Sequence, residues 1–278
     1  MKRIIQLSLP AAVLAVFTAT AVAQTSYSTG FEDFTVGPID PAVGPTQGGW
    51  SGGTSPDFTN NTAGKEQIVS GVANTGSQSW HYARGYGSPG EGTAYTPNLS
   101  ATVSNIGDSM SGSLSFKTHT VGDGSSFALE TGNLAGTDRS EILAYVENTA
   151  TGLSIFSYKS GGAIQPIMTL PTSVAGDWHQ IDFDLTLTAT GNEVSISVDG
   201  SSAVVFDGYL DTYRDVNNFA YSESSRLKLR PRHADSGSFN GFYFDDINYS
   251  VAAVPEPATV GVVGVAALGL LARRRKTA

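Results

Sequence analysis

The 278-residue chain contains no cysteine, and only 15% of its residues are charged. The absence of cysteine excludes disulfide bonds, thiolate metal ligands and a cysteine nucleophile. The stability of the folded protein must therefore come from a large apolar core, with or without a bound metal ion.

Cations are scarce in the central part of the chain. Of its 16 Lys and Arg and 25 Asp and Glu, the first 23 and the last 24 residues hold six cations and one acid. The part between them therefore has 10 cations against 24 acids, a net charge of −14. Such a charge argues against nucleic acid or anionic lipid as a general partner and favours a soluble protein.

Sequence signatures of catalysis are also missing. The chain has no Glu-x-Asp-x-x-Glu cluster and no His-Glu-x-x-His motif, and its histidines share no ligand spacing. Glycine strings at 49–53 and 85–90 match the nucleophile-elbow and dinucleotide patterns by letter, but no helix is predicted after either. A lyase site assembled from separate strands stays open as an alternative. Its first candidates are Tyr82, His119, Arg230 and His233.

The N-terminus has the pattern of a secretory signal peptide. Met1-Lys2-Arg3 is a short basic region, residues 4–22 are largely apolar, and Ala21-Val22-Ala23 fits the small-x-small cleavage rule. We predict a signal peptide at 1–23, with cleavage before Gln24. The protein is therefore expected to be exported across the inner membrane.

The C-terminus contains three elements in order: Pro255-Glu256-Pro257, an uncharged run at 258–272, and the basic cluster Arg273-Arg274-Arg275-Lys276. A helix over the uncharged run spans about 22 Å, against about 30 Å for the hydrocarbon core of a bilayer. We therefore predict a marginal transmembrane helix at 258–272. Its basic end should stay cytoplasmic, which leaves the residues before it on the far side of the membrane.

This tail, at 255–278, resembles the PEP-CTERM sorting signal of Gram-negative bacteria. The resemblance implies that an exosortase, a membrane transpeptidase-like enzyme, removes the tail at or near the Pro-Glu-Pro site after a transient stay in the inner membrane. It also implies that the processed protein reaches the cell surface or the extracellular matrix. The alternative is a permanent single-span anchor.

Residues 24–254 have the composition and periodicity of one β-domain. Short runs of alternating apolar and polar residues are separated by glycine, asparagine and aspartate, which predicts many short strands. The predicted strands are 113–117, 126–130, 141–147, 153–158, 179–188, 193–198, 203–206, 225–230 and 241–251. Tight turns are predicted at 148–152, 190–192 and 199–200. The predicted fold class is all-β, an antiparallel two-sheet sandwich.

Four segments carry a further resemblance. A tryptophan opens the strand at 178–184, and residues 191–200 end in Val-Asp-Gly; Gly30-Phe31-Glu32 and Phe244-Asp245-Asp246-Ile247 lie near the two ends of the domain. In these features the chain is similar to concanavalin A-like and laminin G-like jelly rolls. The resemblance implies a jelly-roll sandwich whose first and last strands are neighbours. It implies no activity, because this sandwich carries lectins, glycosidases, lyases and adhesive modules.

In related jelly rolls, carboxylates on the first and last strands often hold a structural calcium ion. The matching positions are Glu32 and Asp245, with Asp33 or Asp246 as further candidates. Calcium takes about six to eight oxygen ligands. Strand alternation places Asp245 on the inward face with Tyr243, where an uncompensated carboxylate is costly. The alternative is that Asp245 caps a turn or accepts backbone amides at the rim of the sandwich.

One segment is basic within this acidic domain. Alternation places four cations on one face of a strand and leucines on the other. We call the four the basic strip: Arg226, Lys228, Arg230 and Arg232. Guanidinium groups pair with carboxylates through two parallel hydrogen bonds, so the strip predicts binding of uronate or sulfate groups. The alternative is a solvent-facing strand whose cations pair with neighbouring acids or protect a sheet edge.

Three aromatic residues are further candidates for sugar binding. Trp50 follows two glycines in a Gly/Pro-rich stretch and is predicted to be exposed, whereas Trp80 and Tyr82 precede the glycine-rich stretch at 85–92. Rings on loops are common platforms for sugars, but Trp80 and Tyr82 also fit the core face of a strand.

Two classes of function follow from these observations. The first is a non-catalytic exported protein that binds, or becomes part of, extracellular polysaccharide after removal of its tail, which the PEP-CTERM resemblance implies. The second is a secreted polysaccharide lyase or glycosidase that acts on an acidic glycan. A deep groove floored by Arg, Tyr and His would favour the enzyme, and a filled or convex face would favour the structural role.

Overall fold

A computed structural model of the protein describes residues 25–38, 47–52, 66–82, 94–132, 141–159, 161–208, 224–232 and 241–254. The predicted signal peptide at 1–23 and the sorting tail at 255–278, with its helix at 258–272, lie outside these ranges. Within them, no helix is long and apolar enough to cross a membrane.

The described ranges form sixteen strands. In chain order they are β1 (Ser26–Thr29), β2 (Gly37–Pro38), β3 (Ser51–Gly52), β4 (Glu66–Ser70), β5 (Gln78–Tyr82), β6 (Ala94–Tyr95), β7 (Ser109–Thr118), β8 (Ser126–Gly132), β9 (Ile142–Thr149), β10 (Gly152–Lys159), β11 (Ala163–Pro171), β12 (His179–Thr188), β13 (Gly191–Val198), β14 (Val204–Asp207), β15 (Arg226–Arg232) and β16 (Phe242–Ala252).

The strands form two antiparallel sheets. The large sheet has nine strands in the described ranges, in the order β14-β13-β12-β7-β16-β5-β4-β2, with β1 beside β16. The small sheet has seven, in the order β11-β10-β9-β8-β15-β6-β3. The predicted all-β fold, an antiparallel two-sheet sandwich, is confirmed. The first and last strands are neighbours, as the jelly-roll resemblance implied.

Alternating side chains explain how the two sheets pack. In β12, Ile181, Phe183 and Leu185 are buried while the residues between them are partly or fully exposed. Leu227 and Leu229 of β15 belong to the same hydrophobic core, which lies between the sheets. Every strand predicted from alternation is present: β12 has the predicted bounds, and the others have shifted ends. The predicted turn at 199–200 is confirmed, since Asp199 and Gly200 have the positive φ angles, 51° and 69°, that tight hairpins favour.

The start of the domain differs from its prediction. Gly30-Phe31-Glu32 is not the first strand, because β1 ends at Thr29 and Phe31 adopts a φ of 61°. The Phe31 amide donates to Thr29 Oγ1 at 3.0 Å, and the Phe31 ring is fully buried against Phe34 and Trp50. Burial of the ring offsets the cost of the left-handed backbone.

A bulge in β16 contradicts the simple alternation predicted for this strand. The pairing of β16 with β7 shifts register between Asp245 and Asn248, and Asp246 has a φ of 46°. An extra residue reverses which side chains face the core. Phe244 therefore points inward before the bulge and Ile247 after it, whereas Tyr243 lies on the outer face. The prediction that Tyr243 lies on the inward face is therefore wrong.

Candidate functional site

The basic strip lies on β15, which pairs with β8 on one side and β6 on the other. Because Leu227 and Leu229 point into the core, Arg226, Lys228 and Arg230 lie on the outer face of the small sheet. Only 7%, 2% and 9% of their surfaces are exposed. The solvent-facing alternative is therefore wrong for these three. Arg232 ends the strand opposite Ser126, and its side chain lies outside the described residues.

A buried carboxylate accompanies two of the three cations. Glu130 is the register partner of Lys228 and has no exposed surface. Its Oε2 lies 3.1 Å from Lys228 Nζ, and its Oε1 contacts Arg230 Nη2. A buried carboxylate is costly unless it is paired, so these cations compensate Glu130. The predicted pairing with a neighbouring acid is thus present for Lys228 and Arg230.

Arg226 has different surroundings. Its Nη1 donates to Ser51 Oγ at 3.3 Å, and its guanidinium carbon lies 4.0 Å from the centroid of the Tyr95 ring. Its Nε is buried and has no hydrogen-bond acceptor. Desolvation lowers the pKa of Arg226, and the Tyr95 and Tyr249 hydroxyls oppose this shift.

An aromatic patch adjoins the cations on the same outer face. Tyr145 is the register partner of Ala128 and stacks on Phe156 with 4.9 Å between ring centroids, and Tyr158 meets Phe156 edge to face at 5.7 Å. The sequence analysis missed this patch. The available signal was that residues 142–146 form an unbroken apolar run, which is typical of a strand buried on both faces.

The three predicted sugar-binding rings lie in the core. Trp50 is 2% exposed, and its Nε1 donates to Tyr27 Oη at 2.8 Å. Trp80 lies 5.2 Å from Trp50 and stacks on Tyr82 at 4.8 Å. The expectation of an exposed Trp50 is wrong, because the turn before it directs the ring inward. These rings are buried and have no surface for a sugar. Trp80 and Tyr82 are core residues of a strand, as the alternative predicted.

The lyase candidates lie in separate places. Tyr82 is in the core, and Arg230 is on the outer face of the small sheet. His119 lies on the outer face of the large sheet, where its ring is 5.4 Å from Tyr243. His233 lies outside the described residues. The three described candidates therefore do not form one constellation.

Three carboxylates lie beside the loop at 71–77 and form a group that we call the carboxylate corner: Glu32, Asp245 and Asp246. Glu32 Oε1 accepts the amides of Ser77 and Gln78, both at 2.8 Å, and these bonds lower the pKa of Glu32. Asp245 has no exposed surface and accepts three amides, those of residues 74, 75 and 246, at 2.8 to 3.1 Å.

Burial raises the pKa of Asp245 to about 6 despite these amides. Within the described ranges, no group of three or more His, Asp or Glu side chains could hold a metal ion. The geometry of the carboxylate corner fits the amide-acceptor alternative. A calcium ion would have to share carboxylate oxygens that already accept hydrogen bonds, and calcium binding stays a prediction.

The fold and the tail together define a class: a two-sheet antiparallel β-sandwich followed by a sorting segment. The family model described as the PEP-CTERM protein-sorting motif matches residues 253–276. The match confirms the motif at the C-terminus and identifies the chain as one that carries an export-sorting signal. None of the curated proteins compared matches the chain.

Several solved structures have a similar fold. The globular domain of T. cruzi calreticulin is 11% identical over 83% of this chain and 88% of its own, with a TM-score of 0.49. A beta-1,3-glucanase from Mycobacterium marinum is 12% identical over 81% and 97%, with a TM-score of 0.40. A Bacillus licheniformis beta-glucanase is 12% identical over 83% and 99%, also at 0.40. Likeness at this level carries over neither substrate nor activity.

Proposed function

We propose that the protein is exported, is processed by an exosortase, and binds extracellular polysaccharide without cleaving it. The binding surface is the outer face of the small sheet. The observation that carries the proposal is the combination on this one face of buried cations, the buried Glu130 and the aromatic patch. Rings and charged hydrogen-bonding groups side by side are the usual elements of a ligand site.

The outer face of the large sheet differs from that of the small sheet, which supports the choice of the small sheet as the binding surface. On β12 and β13 of the large sheet, the outward residues are mostly partly or fully exposed and polar, as expected of a solvated surface. The separation of Tyr82, His119 and Arg230 is the reason to prefer binding over lyase chemistry.

A matched pair of tyrosine variants tests the proposed face. Tyr158 and Tyr243 are both half-buried, one on the outer face of each sheet. We expect Tyr158→Ala to weaken retention on polysaccharide columns by roughly tenfold, equivalent to about 1.4 kcal/mol, and Tyr243→Ala to leave it unchanged. Equal losses in both variants, or no retention of the wild-type protein on any polysaccharide, would contradict the proposal.

Processing of the tail is tested separately in the native host. The intact mass of the mature protein should show loss of the segment after about residue 254, and replacing Arg273, Arg274 and Arg275 with Ala should impair that loss. An unaltered C-terminus would instead support the permanent anchor.

A further inference from the structure

The loop at 104–107 carries the most exposed large hydrophobic side chain in the described ranges. Ile106 is 67% exposed, in the turn that precedes β7. The buried Asp108 accepts the amides of Ser104 and Asn105 at 2.9 and 2.7 Å, which fixes the shape of the loop. The fold therefore holds this apolar side chain outward, where contact with water is unfavourable.

The end of β16 lies beside this loop. The Val254 amide donates to Asp108 Oδ1 at 2.7 Å, and a Cβ atom at Gly107 would lie 3.0 Å from Val254 Cγ2. Val254 is 48% exposed, and the two alanines before it are exposed as well. Two segments that are far apart in sequence thus place Ile106 and an exposed apolar run at the same end of the large sheet.

The exposed residues at this end carry no charge over three neighbouring segments. The Gly107 amide donates to the Leu187 carbonyl oxygen at 2.8 Å, which joins the loop to the turn between β12 and β13. We call the surface formed by residues 104–107, 189–191 and 252–254 the uncharged rim, because all of them are exposed and none is charged. Charged side chains begin on the adjoining strands, with the exposed Glu193 and Asp207. In a domain with a net charge of −14, the rim is a surface that anionic lipid headgroups do not repel.

Both predicted membrane segments leave the domain from the uncharged rim. The match to the sorting motif begins at residue 253, within the rim. Residue 258, where the predicted helix begins, is four residues after Val254, a separation that the chain spans with at most about 14 Å. At the other terminus the Val251 amide donates to the carbonyl oxygen of Thr25, at 2.7 Å, so the predicted signal peptide also ends here.

The length of the predicted tail helix draws this end of the domain toward the bilayer. A helix over 258–272 spans about 22 Å, about 8 Å less than the hydrocarbon core of a bilayer. A span shorter than the core pulls its flanking residues toward the interface. The basic cluster at 273–276 is held on the cytoplasmic side, so the residues on the domain side must make up part of the difference.

We propose that the uncharged rim docks on the outer surface of the inner membrane while the tail is in place, with Ile106 and Val254 inserted among the lipid headgroups. Apolar side chains gain free energy when they leave water for this interface. The inference rests on the export and sorting proposed above, and it adds a second partner, the phospholipid surface. Docking holds residues 255–257 at the membrane, where a membrane-embedded exosortase acts.

The absence of cysteine allows a direct test, because a single introduced cysteine carries a fluorophore at a chosen position. The full-length chain is reconstituted in vesicles of phosphatidylethanolamine and phosphatidylglycerol that contain spin-labelled headgroups. These should quench a fluorophore at Asn105→Cys at least about twofold more than one at Ser202→Cys, which is exposed at the opposite end of β13. A label at Val263→Cys reports separately whether the tail is inserted.

A matched pair of charge variants tests the role of Ile106. Ile106→Asp should reduce quenching at position 105 to the level at position 202, because a carboxylate is costly to take out of water. Val205→Asp, which places the same charge at a valine that is 58% exposed on β14, should leave the quenching unchanged. Both positions are exposed, so both variants should melt as the wild-type protein does.

Tail removal in the native host provides a second readout. Ile106→Asp should slow it by roughly fivefold, because the apolar contact that holds the cleavage region at the membrane is lost. Val205→Asp should be processed as wild type is.

The outcomes separate docking from sorting. Equal quenching at positions 105 and 202 with a quenched label at position 263 would overturn the docking and leave insertion of the tail intact. Absence of quenching at all three positions would contradict both the docking and the predicted helix. Slower tail removal in Ile106→Asp with unchanged quenching at position 105 would overturn lipid docking in favour of a contact between the loop and a protein.

Discussion

The two sheets enclose one core but differ on their outer faces. In β12 of the large sheet, buried residues alternate with partly or fully exposed ones, and the outward side chains are polar. In β8 of the small sheet, all seven residues are buried, and the outward ones include Glu130. A polar, exposed outer face needs no explanation beyond solvation. A buried outer face that carries charges needs partners for them other than water, as Lys228 and Arg230 are for Glu130.

Glu130 of the small sheet and Asp245 of the large sheet are both fully buried carboxylates, and they are stabilised differently. Glu130 is compensated by the cations of Lys228 and Arg230. Asp245 is compensated by backbone amides, and its pKa is raised. The amides lower the pKa of Asp245, but its burial raises the pKa by more.

The largest effect is expected from breaking the ion pairs of the small sheet. Replacing Glu130 with Gln leaves Lys228 and Arg230 buried without their counter-charge, which should lower the free energy of unfolding by about 3–5 kcal/mol. Chemical denaturation measures this change. Asp184→Asn, at an exposed position on the large sheet, is the control and should change stability by less than about 0.5 kcal/mol. A similarly small change in the free energy of unfolding of both variants would show that the ion pairs of Glu130 contribute little to stability.

An intermediate effect is expected from the pH dependence of Asp245. Its pKa is raised from 3.8 to about 6 in the folded protein, so between these values the folded state binds more protons than the unfolded state. Protonation of Asp245 therefore contributes up to about 3 kcal/mol to the free energy of unfolding. This contribution is fully present below about pH 4 and is lost as pH rises through 6. Asp245→Asn should lack this part of the pH dependence. An unchanged slope between pH 4 and 6 in the variant would contradict the assignment.

The smallest effect is expected from calcium at the carboxylate corner. A site of the extracellular kind, with a dissociation constant of about 1 mM, adds only about 0.4 kcal/mol at about 1 mM calcium. The melting temperature should rise slightly with calcium, fall again with a chelator, and respond to neither in Asp245→Ala. Asp184→Ala should keep the response. A melt that ignores calcium even at high concentration would leave amide capping as the whole role of Glu32 and Asp245.

Alternation is strongest in strands that have one solvated face. β12 and β13 were found for this reason. β11 was missed because neither of its faces is consistently buried and it contains Pro166 and Pro171, which argue against a strand. Its place at the edge of the small sheet explains why prolines are tolerated.

The site was harder to predict, because its features depend on register and on turns. Trp50 points inward because Gly48 and Gly49 form a turn with positive φ angles, which composition alone does not reveal. Arg226 pairs with Gly132, whereas Lys228, two residues along the strand, pairs with Glu130. No pattern within β15 distinguishes these two cations, so the basic strip was predicted as four equivalent residues.

The position of β16 makes closure of the large sheet depend on the end of the chain segment that forms the domain. It is the last strand in the chain, yet it lies inside the large sheet between β7 and β5 and also pairs with β1. The large sheet therefore cannot close before residues 242–252 are available to pair. The Val254 amide then donates to Asp108 Oδ1 at 2.7 Å, which fixes the chain directly before the Pro-Glu-Pro triplet. Completion of the large sheet thus also fixes the end of the described domain, because Asp108 lies directly before β7.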